Sequence, residues 1–187
     1  MIEVWWQAAR QTLDKSEFDA LFLAHYEGIY RLLFRIIGSP EEAEDLAQET
    51  FLRLYRQRFP KGREHNVRAW LYKVATNLAY NALRGRRRRV RREEMVQRQA
   101  EPAGETDPVE TALRRDERTA VRQVLTGLPR RQARLLLLYY TGLSYRELAD
   151  VLGVAPGSVG TLLARAKTAF EMAYRASLAR SGGSDEM

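Results

Sequence analysis

Cysteine is missing from the 187-residue sequence, and only two histidines, His25 and His65, occur in it. The first absence excludes disulfides, thiolate metal sites and cysteine nucleophiles, and it is compatible with a reducing compartment. The two histidines lack the spacing of metal ligands, no glycine-lysine phosphate loop is present, and no nucleophile stands beside a base. Neither an enzyme nor a bound cofactor or metal is therefore expected. No apolar run approaches the roughly 20 residues that span a bilayer. The first residues lack the basic-then-apolar order of a secretory signal, so membrane insertion is not expected and the cytoplasm is the expected location. Period-two alternation rich in β-branched residues is also wanting, which leaves strands little part in the fold.

Positive charge is plentiful. Lysine and arginine number 31 against 24 acidic residues, a net charge of +7, and the pI is about 9.9. Such a balance favours a polyanionic partner, nucleic acid first and an anionic membrane surface second. Helix punctuation is plentiful too. Ser39-Pro40-Glu41-Glu42 follows Gly38, Asp107-Pro108-Val109-Glu110 follows an acidic stretch, and Ser144-Tyr145-Arg146-Glu147 follows Gly142. Each places a side-chain oxygen, a proline or a carboxylate where the free N–H groups of a first helical turn need one.

These signals predict an all-α fold of two small helical domains joined by a flexible linker. A first block, residues 16–92, carries helices near 16–37, 40–56 and 67–83, with a loop at 59–66. Residues 93–107 read as the linker, rich in Ala, Pro, Gly, Glu and Thr. A second block, 108–180, carries helices near 109–126, 130–140, 145–152 and 157–176, and 181–187 read as a disordered tail. Residues 1–15 form an extension, with a short helix near 4–13. Its Trp5 and Trp6 either pack on the first block or cover a partner surface.

Within the second block, Tyr145 to Leu163 fits a helix-turn-helix plan. Ala149 is small where two helices cross, Gly153 permits the turn, and Leu148, Leu152, Val159 and Leu163 supply a shared core. The plainer alternative is an ordinary helical hairpin. If the motif holds, the second helix enters the major groove and presents Ser158, Thr161, Ala164, Arg165 and Lys167, while Tyr145, Arg146, Arg130 and Arg131 clamp phosphates.

In the first block, Leu71, Val74, Leu78 and Ala82 form a buried stripe at helical spacing. Another face carries Trp70, Lys73, Asn77, Tyr80, Asn81 and Arg84. Aromatics, amides and cations suit single-stranded DNA, although the two aromatics could equally pack on a neighbouring helix. The helix near 40–56 differs, because Asp45, Gln48, Glu49 and Leu52 share one face while Leu46, Ala47, Thr50 and Leu54 lie inward. That face repels DNA. It suits either a basic protein partner or solvent near a positive helix end.

Three stretches carry a family resemblance: Ala43-Glu44-Asp45-Leu46-Ala47-Gln48-Glu49-Thr50-Phe51, then Arg68-Ala69-Trp70-Leu71-Tyr72-Lys73-Val74-Ala75-Thr76-Asn77-Leu78-Ala79, then Ser144-Tyr145-Arg146-Glu147-Leu148-Ala149. In this order the chain resembles the extracytoplasmic-function sigma factors, promoter-recognition subunits of bacterial RNA polymerase. The resemblance implies that Asp45, Gln48, Glu49, Phe51 and Leu52 dock on a coiled coil of the largest polymerase subunit. It implies that Asn66, Trp70, Lys73, Asn77, Tyr80, Asn81 and Arg84 engage the -10 element, with the 59–66 loop receiving a flipped base. The second block then reads the -35 duplex, the arginines of 84–92 meet DNA phosphates, and an anti-sigma protein regulates the whole. A stand-alone helix-turn-helix regulator is the alternative. Two departures stand out: the family's Val-Lys-Ser-Arg-Leu is Val159-Gly160-Thr161-Leu162-Leu163 here, and Ala155 leaves the next helix without a side-chain cap.

Overall fold

A computed structural model of the chain describes residues 10–60, 66–96 and 112–182. Seven α-helices are present among them: α1 (Lys15–Ile37), α2 (Pro40–Arg56), α3 (Val67–Val96), α4 (Ala112–Gly127), α5 (Arg130–Tyr139), α6 (Tyr145–Leu152) and α7 (Val159–Gly182). The starts of α1, α2 and α3 have local chemical causes. Asp14 caps α1 and exchanges backbone bonds with Glu17, Ser39 accepts from the Glu42 N–H ahead of α2, and Asn66 Oδ1 accepts from the Ala69 N–H at 2.9 Å to open α3. Ends are set by glycine where the chain turns left-handed, Gly38 at φ 87° after α1 and Gly153 at φ 66° after α6.

Two short strands, β1 (Arg10–Thr12) and β2 (Arg58–Pro60), pair antiparallel with Gln11 opposite Phe59. The expected helix near 4–13 is thus extended chain at Arg10–Thr12. Residues leaving α2 present free backbone groups, and β1 satisfies them. Trp5, Trp6, the Asp107-Pro108 cap, His65, most of the 59–66 loop and most of the tail fall outside the described residues.

α1, α2 and α3 pack around Ile29, Leu32, Leu33, Ala47, Leu54, Leu71 and Ala75, all fully buried. α1 and α3 approach closely at Gly28, where an added Cβ would stand 2.7 Å from the Tyr72 hydroxyl. The second block closes around Leu138, Leu148, Ala149, Val159, Leu163 and Ala166. The helix axes on either side of Gly153 differ by 105°, within the range of a helix-turn-helix.

Two differences from the sequence expectation bear on function. α3 does not stop near residue 83 but continues through Gly85 and the arginine run to Val96, since arginine is a good helix former and no proline intervenes. It also buries two faces rather than one: Leu71 and Ala75 meet the first block's core, while α6 packs on another side and Arg134 and Arg130 of α5 reach Thr76 and Tyr80. The two blocks are consequently packed against each other along α3.

Candidate polymerase and nucleic-acid interfaces

On α2, Asp45, Gln48 and Leu52 are exposed and Glu49 is half-buried, so the acidic face faces outward. Leu52 is 41% exposed, the largest apolar group on it besides Tyr55. Glu49 pairs with Arg53 at 2.7 Å, and Glu42 at the start of the helix pairs with Arg86 of α3 at 2.6 Å. Phe51 is a correction: it is only 2% exposed and its ring meets Phe22 and Tyr26 edge-on or tilted at 4.9 and 5.9 Å. One helical step of about 100° carries it from the docking face into the core.

On α3, Lys73, Asn77, Asn81 and Arg84 are exposed along one stripe, with Arg84 donating to the Asn81 side-chain oxygen. Arg87, Arg88 and Arg89 prolong the exposed positive charge beyond the bundle. The aromatics are divided between packing and exposure. Trp70 is half-buried against Phe59, with ring centroids 5.9 Å apart, and Tyr80 lies half-buried beneath the guanidinium of Arg130, 4.4 Å from its ring centre. Asn66 caps α3 and is exposed.

In the helix-turn-helix, Tyr145, Arg146, Ser158, Thr161 and Arg165 are exposed, as is Arg131 on α5. Lys167 departs from the expectation. It is turned from the Thr161 and Arg165 face, and its ammonium stacks over the Tyr139 ring at 4.5 Å. Six residues past Thr161 is about 600° of helical turn, one-third of a revolution short of the groove side. Arg130, expected to hold phosphate, is engaged with Tyr80 instead.

Comparison with known proteins decides what these faces belong to. Residues 21–89 match sigma-70 region 2, and residues 118–170 match sigma-70, region 4. RNA polymerase sigma-H factor of Pseudomonas aeruginosa is 32% identical over 170 residues, covering 87% of this chain and 88% of that protein. The chain belongs to the extracytoplasmic-function class of the sigma-70 family. SigE of Mycolicibacterium smegmatis, of the same class, is 34% identical over 155 residues; these are 80% of this sigma factor but only 58% of the relative. The fold is shared with the sigma factor RpoE of Bartonella quintana, solved in complex with the anti-sigma factor NepR, at a TM-score of 0.61 and 21% identity over 86% of this chain and 98% of that one.

The sigma factor's two conserved regions therefore correspond to the two blocks, and the seam between them holds residues that sequence patterning did not single out. Arg68 Nη2 donates to the carbonyl oxygens of Thr141 and Gly142 at 3.2 and 3.1 Å, and its Nη1 lies 3.5 Å from Glu147 Oε2. Glu147 is 8% exposed. Burial pushes its carboxyl up, but hydrogen bonds from Ser144 and Asn66, together with the Arg68 charge, outweigh that and hold it below the usual range. Burial and then Arg68 hold the nearby His25 imidazole down. Arg134 reaches Thr76 Oγ1 at 2.9 Å, and burial lowers its pKa. The only signal for this set in the sequence was the capping box at Ser144, which explains Glu147 locally and says nothing of Arg68.

Proposed function

We propose that this sigma factor docks on core RNA polymerase through Asp45, Gln48, Glu49 and Leu52, the acidic and apolar face of α2. Once docked, α3 holds the non-template strand of the -10 element. Lys73 and Arg84 neutralise phosphates, Asn77 and Asn81 bond to base edges, and Trp70 offers a stacking plane. The second block reads the -35 duplex with Ser158, Thr161 and Arg165, while Tyr145, Arg146 and Arg131 grip its backbone. The protein makes and breaks no covalent bond; it works in the cytoplasm, where its polymerase is.

The observation that carries this reading is the exposed carboxylate face on α2 in a chain of net charge +7. A DNA-binding regulator acting alone has no use for that face, and a basic protein surface does. An anti-sigma protein is the proposed regulator. An open cavity of about 960 Å³ between the blocks, with Tyr30, Phe34, Leu125 and Phe170 on its walls and Arg31, Arg35 and Arg122 beside them, suits an amphipathic helix with acidic flanks.

Run-off transcription with core polymerase tests the assignment. The double substitution Asp45→Ala with Gln48→Ala is expected to weaken core binding by about tenfold or more while leaving duplex DNA binding intact. Asn77→Ala is expected to slow promoter opening without affecting -35 duplex binding. Core binding unaffected by the double substitution would overturn the docking face, and operator-like binding by the free chain with no response to core polymerase would favour a stand-alone regulator.

A further inference from the structure

At the start of α3, a guanidinium meets a carboxylate from the other block. Arg68 Nη1 approaches Glu147 Oε2 at 3.5 Å, and its Nη2 donates to the carbonyl oxygens of Thr141 and Gly142 at 3.2 and 3.1 Å. The carboxylate is 8% exposed and also accepts from the Ser144 N–H at 2.7 Å and the Ser144 hydroxyl at 2.8 Å. The positive end of the α3 dipole adds to the attraction. These groups together make an anion site, and it is filled by the chain itself.

We propose that Arg68, in the first turn of α3, forms a binding site for a DNA phosphate, and that the closed protein masks it with the Glu147 carboxylate acting as a phosphate mimic. The inference rests on the DNA-binding reading given above. A carboxylate and a phosphate present similar paired oxygens to a guanidinium, so the same fork serves either. The site sits in the first turn of α3, at the Trp70 end of the helix. The rest of the seam acts in the same direction. Tyr80, assigned to the -10 strand, lies half-buried under the exposed Arg130, which covers its ring. Separation of the blocks releases Arg68 and Tyr80 at once.

Glutamine serves as well as glutamate at the third position of a capping box. Glu147→Gln therefore keeps the local cap of α6 and removes only the charge that Arg68 meets. Since the chain has no cysteine, a cysteine pair at the exposed positions Glu41 and Asp150, labelled with donor and acceptor dyes, reports the separation of the blocks in the full-length protein. Glu147→Gln is expected to lengthen that separation and to tighten binding of the free chain to fork-junction DNA by about fivefold, the factor appropriate to a partly exposed ion pair. Arg68→Ala is expected to open the blocks equally yet bind the same DNA no more tightly than wild type. Its log K against log salt should be shallower by about 0.7–0.9, one phosphate contact.

An unchanged dye separation in Glu147→Gln would overturn the masking. Arg68→Ala binding DNA as tightly as Glu147→Gln, with an unaltered salt slope, would overturn the phosphate site. Neither readout uses polymerase. Failure of the docking substitutions in transcription would strike the proposed function and leave these two results standing.

Discussion

Phe51 and Leu52 are neighbours in sequence and opposites in the fold. The first closes an aromatic cluster with Phe22 and Tyr26; the second is 41% exposed beside Asp45 and Glu49. Phe51→Ala should lower the stability of the chain by about 3–5 kcal/mol, the range for emptying a buried aromatic site. Leu52→Ala should leave stability within roughly 0.5 kcal/mol and weaken core polymerase binding. Urea denaturation and a core-binding titration on the same two variants separate the roles; equal loss of stability in both would contradict the assignment. Periodicity had already placed Asp45, Gln48, Glu49 and Leu52 on one face, because four positions at helical spacing define a direction. The family motif brought Phe51 along with them, and a motif does not distinguish residues retained for contact from residues retained for packing. Lys167 went astray differently: a cation six positions beyond Thr161 was assigned to the groove, whereas Tyr139 offers its ring on the other side of α7.

Elements were more legible than individual side chains. The bounds of α2 and α6 follow from Ser39-Pro40 and from Ser144 with Glu147, where cap, proline and carboxylate all act within one turn. The end of α3 did not follow, because consecutive arginines have high helix propensity and carry no stop signal, while the charge run resembles a linker by composition. The recognition helix raises a further question of design. Gly160 lies near the start of α7, where an added Cβ would meet only the Tyr145 ring at 3.7 Å, ordinary van der Waals contact. Nothing steric requires glycine there. Gly160→Lys should stabilise α7 by about 0.5–1 kcal/mol through helix propensity alone. It should also tighten duplex binding and steepen the salt dependence by roughly 0.9 in log–log slope, the signature of one added phosphate contact. Gly160→Ala isolates the first effect, since it restores propensity without charge. Identical DNA binding by the alanine and lysine variants would show that position 160 does not reach the backbone.

At the scale of the whole molecule, the decisive feature is a seam made from residues far apart in sequence: Arg68 with Glu147 and Arg134 with Thr76. No local pattern anticipates such pairs, which is why two domains could be read from the sequence and their contact could not. Residues 97–111 tether the blocks, but doubling a tether changes closure by only about 0.6 kcal/mol, so the seam contacts set the balance. They do not all favour closure. Arg134 brings a guanidinium into the seam with no carboxylate partner among the described residues, its Nε is buried without a hydrogen bond, and Arg130 next to it carries the same charge. Its bond to Thr76 is neutral at the far end, and Thr76 has its own acceptor in the Tyr72 carbonyl at 2.7 Å. Desolvating an unpaired cation therefore opposes closure and keeps the protein ready to open. Arg134→Met retains the length and apolar stem of the side chain. The closed state should gain about 1–2 kcal/mol, the low end for replacing a buried charge with a packed apolar group. DNA affinity of the free chain should then fall by roughly tenfold, the factor that 1.4 kcal/mol represents, while the dyes at positions 41 and 150 stay close. A variant that instead opens, binding DNA more tightly than wild type, would mean that the Arg134–Thr76 bond outweighs its desolvation and that Arg134 is a fastening of the closed form.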